Sequence, residues 1–131
     1  MSVFNKAIMI FLLKLLIVSS IMRMWVSAKA IGRVDVSINN YLQNKLDLTV
    51  HCKSANDDLG EHTVPYLKNY TFTFKKRFFQ GTLFFCSFQW NGPLHWFDIY
   101  DQSRDDCDDC LWEITETGPC FYSQCYEWNK S

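Results

Sequence analysis

From Val34 onward, apolar residues fall on every second position. Val34, Val36 and Ile38 alternate with Asp35, Ser37 and Asn39, and Leu46, Leu48, Val50 and Cys52 alternate with Asp47, Thr49 and His51. Successive side chains of a strand point to opposite faces, so this pattern requires sheets with one face on a core and the other in water. The two runs read as strands joined through the polar NNYLQNK. The stretch CKSANDDLGEH breaks the pattern with Asn56, two aspartates and Gly60, and reads as a turn-rich loop. YTFTF, Tyr70 to Phe74, resumes the alternation. TLFFCSFQW puts Phe84, Cys86, Phe88 and Trp90 on one side with Phe85 opposite, and reads as the best-buried strand. The turn NGP, the run LHWFDIY, an acidic stretch, LWEIT, the turn TGP and an aromatic run ending at Trp128 follow. Short, closely spaced strands rich in aromatic and β-branched residues predict an all-β fold: a small antiparallel β-sandwich of about seven or eight strands, stabilised by disulfides.

The first thirty residues differ in kind. They contain no Asp or Glu, an early Lys6, a long apolar stretch and the small-residue end Ala28-Lys29-Ala30, the order of a secretory signal peptide. Lys14 and Arg23 count against a membrane anchor, because each costs about 2.5 to 3.5 kcal/mol near the centre of an inserted helix. The reading is a cleaved leader over residues 1–30 and a single domain over 31–131, with no stable membrane insertion after cleavage. The leader holds four of the 13 basic residues and none of the 14 acidic ones, which leaves nine against 14 and a formal net charge of −5. The charge is also uneven: Ile31 to Arg77 carries seven basic and five acidic residues, Phe78 to Ser131 two and nine. A nucleic-acid partner requires a concentrated basic surface, and only Lys75-Lys76-Arg77 offers one, so none is expected.

All six cysteines, Cys52, Cys86, Cys107, Cys110, Cys120 and Cys125, lie beyond the leader. An even number in an oxidising compartment reads as a bridged framework, although spacing does not select the pairing. Two glycosylation sequons fit the same extracellular destination, Asn69-Tyr70-Thr71 and Asn129-Lys130-Ser131.

The stretch from Trp96 to Trp112 contains six aspartates, at 98, 101, 105, 106, 108 and 109, and two cysteines. Carboxylates are calcium ligands, but the alternating EF-hand spacing and its glycine are absent. Cys107 and Cys110 could supply half a zinc site, yet no second half follows. Three acidic neighbours disfavour the thiolate that redox chemistry needs. The chain has no G-x-S-x-G, no H-E-x-x-H and no glycine-rich phosphate loop. Neither catalytic residues nor a metal or cofactor is expected. His51, His62 and His95 read as solvent-facing or hydrogen-bonding residues, and Trp90, Trp96, Trp112 and Trp128 as core packing.

VDVSINNYLQNKLDLTVHCKSANDDLG, GTLFFCSFQW, FDIYDQSRDD and CDDCLWEITETGPC, in this order and spacing, resemble the plant self-incompatibility S-protein family, or S-protein homologues. The likeness runs from about Val34 to Trp128. Cys52, Cys86 and Cys110 correspond to characteristic cysteines, and Cys107, Cys120 and Cys125 fit the six-cysteine form. The resemblance implies a small secreted β-sandwich held by disulfides, acting as a ligand without catalytic residues. The best-understood members are pistil signals that inhibit incompatible pollen through a cell-surface receptor. Loops on a rigid scaffold commonly carry recognition residues. A receptor-facing surface is therefore expected at Asp105, Asp106, Asp108 and Asp109, with Asn56, Asp57 and Asp58 beside them. The alternative is an extracellular defence protein or inhibitor of a microbial hydrolase.

Overall fold

The computed structural model describes residues 3–30, 32–77 and 79–129. Ile31, the expected first mature residue, and Lys130 and Ser131 of the second sequon lie outside the described residues. The chain forms two compact units, divided between Ile31 and Gly32.

The first is a helix, α1 (Val3–Ala30). It contains no glycine or proline and is rich in Leu, Met, Ala and Lys, which lose little freedom in a helix. Its apolar residues run consecutively instead of alternating, so no strand face separates them from water. Among the described residues no helix is long and apolar enough to cross a membrane.

Among the described residues the second unit has nine strands: β1 (Arg33–Asn40), β2 (Leu48–Lys53), β3 (Asp58–Val64), β4 (Asn69–Lys75), β5 (Leu83–Gln89), β6 (Leu94–Asp101), β7 (Asp109–Thr115), β8 (Gly118–Phe121) and β9 (Gln124–Cys125). They form a five-stranded sheet in the order β4-β1-β7-β8-β9 and a four-stranded sheet in the order β3-β2-β5-β6. The alternating residues turn inward: Val34, Val36 and Ile38 of β1, Leu48 and Val50 of β2, and Phe84 and Phe88 of β5 are all at most 3% exposed. Aromatic contacts join the sheets, with Phe72 of β4 5.1 Å from Phe84 and Phe97 of β6 5.3 Å from Trp112 of β7. Burying one such side chain is worth about 1.5 to 3 kcal/mol, so this shared core dominates the unit's stability.

The expected all-β class is corrected. Among the described residues the chain combines an α-helix of 28 residues with a two-sheet, nine-strand unit held by three disulfides. The composition of the first thirty residues predicts a leader but does not state its backbone, and its glycine-free and proline-free run is helical. Nor is the pairing wholly antiparallel, since β1 runs parallel to β7, with Val36 opposite Cys110 and Ile38 opposite Trp112. The two runs joined through NNYLQNK, β1 and β2, belong to different sheets. The expected CKSANDDLGEH loop contains the start of β3, an edge strand whose only buried residue is Val64.

A register shift between β5 and β6 positions the acidic region. Phe84 faces Tyr100 whereas Phe85 faces Asp98, so β6 carries one extra residue and both Ile99 and Tyr100 are buried. Such bulges re-aim the chain beyond them. Here β6 ends one residue later, at Asp101.

Candidate functional site: an acidic connection beside an aromatic hairpin

The link from β6 to β7 is built around Asp101 and Asp105. The Asp101 carboxylate accepts from the Ser103 amide (2.9 Å) and hydroxyl (2.7 Å), and its carbonyl accepts from the amides of Arg104 (3.0 Å) and Asp105 (2.7 Å). Asp105 returns the contact by accepting from the Asp101 amide at 2.8 Å. The Ser103 hydrogen bonds, side chain first, hold the Asp101 carboxyl below the usual carboxylate range, with the Arg104 charge helping.

Arg104 anchors this turn. Its Nε and Nη2 donate to the two oxygens of Asp105, both at 2.8 Å, and Nη2 also donates to the Asp98 carbonyl at 2.7 Å. The guanidinium lies 5.2 Å from the ring centre of Phe97, 5.4 Å from Trp112 and 5.7 Å from Tyr126. A planar, weakly hydrated cation suits that position, and lysine could not reproduce the forked bond. Asp105 is consequently turned inward, its side chain 8% exposed.

Asp106, Asp108 and Asp109 stand in water. Asp108 has one weak partner, Lys76, at 3.7 Å, and its side chain is 77% exposed. Its carbonyl accepts from the Asp35 amide, which fixes the backbone while leaving the carboxylate outward. The Cys107–Cys110 bridge pins the connection where it enters β7.

The other expected acidic residues sit elsewhere. Asp57 is exposed in the turn between β2 and β3, closed by the Ser54 amide to the Asp57 carbonyl at 2.8 Å and the Asp57 amide to the Ser54 hydroxyl at 3.1 Å. Asp58 contacts His51 Nε2 at 2.5 Å, the Gly60 amide at 3.0 Å and Lys53 at 3.8 Å. The His51 hydrogen bond, followed by that from Gly60, lowers its pKa. Asn56 offers its side-chain carbonyl to Arg77. Asp57 lines a groove of about 310 Å³ with Lys75 and Arg77, distinct from the groove of about 640 Å³ beside Asp105 to Asp109. The structure therefore gathers the expected residues into two sets, each with part of the basic run 75–77 against it.

The cysteines pair as Cys52–Cys86, Cys107–Cys110 and Cys120–Cys125. The first joins facing residues of β2 and β5 inside the core. The third closes the β8–β9 hairpin, whose tip carries Tyr122, 62% exposed and in the left-handed backbone region at φ 53°. Asn69 is exposed at the start of β4, and the exposed Asn129 donates its amide to the Trp96 carbonyl at 2.9 Å. Trp112 is buried, whereas Trp96 is 41% exposed. His95 lies between Trp90 (4.5 Å) and Trp128 (5.1 Å) instead of facing solvent.

Arg104 and the aromatic hairpin are the site features that the sequence reading missed. The available signal was a lone cation within a run of six aspartates, which marks an internal partner for one of them. Among the described residues no group of three or more His, Cys, Asp or Glu is placed to hold a metal ion.

Residues 35–130 match the model of the family described as plant self-incompatibility protein S1. The chain belongs to this family of small, secreted plant proteins, and its own unit is disulfide-bonded. It is 51% identical over 86 residues to S-protein homolog 5 of Arabidopsis thaliana, covering 62% of this chain and 67% of that protein. With S-protein homolog 2 of the same plant it shares 44% identity over 110 residues, covering 73% of this chain and 68% of the relative. A solved self-incompatibility protein homologue, described as one of a widespread family of small, highly stable, secreted proteins from plants, superposes with a TM-score of 0.55. At 16% identity, over 76% of this chain and 97% of that one, this likeness establishes the fold.

Proposed function

We propose that this chain is a signalling ligand, released after removal of residues 1–30, whose exposed loops are read by a cell-surface receptor. The carboxylates offered to the receptor are those of Asp106, Asp108 and Asp109, with Asp57 and Asp58 as a second, separate contact. Asp105 keeps the loop in shape from inside. One observation carries this reading. Asp101 and Asp105 are bound within the turn, while their three neighbours project into water on a connection fixed by the Cys107–Cys110 bridge. Solvation of an aromatic-rich domain does not require such a fixed arrangement. Charges on a rigid rim steer encounter and reject wrong partners more than they raise affinity.

The test is saturable binding of labelled, disulfide-intact protein to living plant cells at low and high salt. Asn substitution at Asp106, Asp108 and Asp109 together is expected to weaken binding and flatten its salt dependence. The same change at Asp57 and Asp58 is expected to have a smaller effect. Unchanged affinity and salt dependence for the triple variant would remove the acidic connection from the interface.

A further inference from the structure

The groove of about 640 Å³ beside the acidic connection has a second wall, formed by Phe121, Tyr122 and Tyr126. Phe121 is half-buried and packs on Trp112 at 5.1 Å, and Tyr122 stands edge-on to Phe121 at 4.6 Å with most of its surface in water. A tyrosine held at positive φ on the tip of a bridged hairpin is not there for core packing. The residue costs conformational energy and leaves its ring exposed.

Two of the three disulfides flank this one groove. Cys107–Cys110 fixes the acidic wall and Cys120–Cys125 the aromatic wall, with only three and five residues of sequence separation. Such short loops constrain the unfolded chain less than long ones do. Their stronger consequence is that both walls are already rigid before anything binds.

The occupant follows from the charges. Arg104 is neutralised by Asp105, and Lys76 reaches Asp108 only at 3.7 Å. Asp106 and Asp109 form no ion pair among the described residues. A negative wall facing the exposed Tyr122 ring and the half-buried Phe121 and Tyr126 is complementary to a cation with an apolar stem. The chain already realises that pairing once, where the Arg104 guanidinium lies between three rings and a carboxylate.

We infer that the groove between Asp106–Asp109 and Tyr122 is a docking slot for one arginine or lysine side chain of a basic partner segment. The inference rests on the receptor reading above and names what the receptor inserts. The cation would sit over the Tyr122 ring with Asp106 and Asp109 in reach, its methylene stem along Phe121. Arginine is the better fit, since it stacks on rings and pairs with carboxylates in one plane.

The experiment is an NMR titration of the ¹⁵N-labelled, disulfide-intact protein with the peptide acetyl-Gly-Arg-Gly-amide and, in parallel, its citrulline analogue. Citrulline keeps the shape and removes the charge. The arginine peptide is expected to shift Asp106, Asp109, Tyr122, Gln124 and Tyr126 saturably, and the citrulline peptide is not. Tyr122→Ala should weaken the response about two- to fivefold, whereas Tyr122→Phe should retain it because the ring face remains. Equal shifts with citrulline, shifts spread over the whole surface, or indifference to Tyr122→Ala would overturn the slot. Cell binding separates the two readings. If the Asp→Asn triple weakens cell binding while the peptide titration is silent, the acidic loop stands and the slot falls. If the peptide occupies the groove while cell binding ignores both the triple and Tyr122→Ala, the slot stands and the receptor reading falls.

Discussion

Asn40 is buried, yet every polar atom of its side chain is used. Its amide nitrogen donates to the carbonyls of Leu46 (2.7 Å) and Val64 (2.9 Å), and its oxygen accepts from the Leu42 amide at 2.9 Å. One side chain at the end of β1 thus ties the link to β2 and the end of β3. Asn40→Ala would strand two buried backbone groups, the Val64 carbonyl and the Leu42 amide, and one part-buried group, the Leu46 carbonyl, with each buried group costing about 1 to 3 kcal/mol. A loss of at least about 2 kcal/mol in denaturant unfolding is expected, against about 0.5 kcal/mol or less for a surface substitution away from such a network. Tyr100 is the opposite case, a buried phenol whose hydroxyl has no partner among the described residues. Burial, and then the charges of Asp105, Asp108, Asp106 and Asp101, hold its pKa above the ordinary tyrosine value. The folded state therefore favours the protonated phenol. The stability this confers is present in full below the unfolded value of about 10 and is lost as pH rises through the folded pKa. Burial raises the pKa of Tyr70 as well, so alkaline titration at the tyrosinate absorbance band should show two late-ionising tyrosines, Tyr70 and Tyr100. Tyr100→Phe should remove one of the two late ionisations and leave that of Tyr70, reduce the alkaline loss of stability and change neutral stability little, because no hydrogen bond is lost.

At the scale of elements, the three bridges divide between stability and shape. Cys52–Cys86 closes a loop with 34 residues of separation, against three for Cys107–Cys110 and five for Cys120–Cys125. On loop entropy, replacing the first pair by Ala should cost about 3 to 4 kcal/mol and each short bridge about 2. Thermal unfolding of the paired-Ala variants checks the order, and a short bridge that costs more than Cys52–Cys86 would contradict it. The strands themselves were legible wherever one face is buried, because alternation states which residues point inward. Val34 to Ile38, Leu48 to Cys52 and Phe84 to Phe88 fall as the pattern requires. Alternation does not state which strand lies next to which. The parallel β1–β7 pair and the division of β1 and β2 between sheets depend on contacts far apart in sequence. β3 was missed for a local reason: on an edge strand with two acidic residues and Gly60 at φ 76°, turn composition and strand geometry coexist. In the candidate site, the acidic residues were legible by composition, whereas the inward turn of Asp105 needed the position of Arg104.

For the molecule as a whole, the proposed removal of residues 1–30 would link charge, folding and compartment. The helix α1 carries the apolar run and four basic residues, while every cysteine and acidic residue lies in the second unit. Cutting between the units would turn a chain with formal charge −1 into one at −5 and leave the three bridges intact. At that charge a basic partner is drawn in over a Debye length of about 8 Å at physiological salt. The uncut chain would present four compensating positive charges on its leader. Intact mass of the protein from secreting plant cells, before and after reduction with thiol alkylation, tests the whole scheme. The expected product has lost residues 1–30, takes up no alkylating reagent until reduced, and then takes up six. A glycan mass that disappears with Asn69→Gln would place the carbohydrate on β4. A product that keeps its leader, or that alkylates at Cys107 and Cys110 without reduction, would contradict this order. The rigid acidic wall would then have to be explained without its bridge.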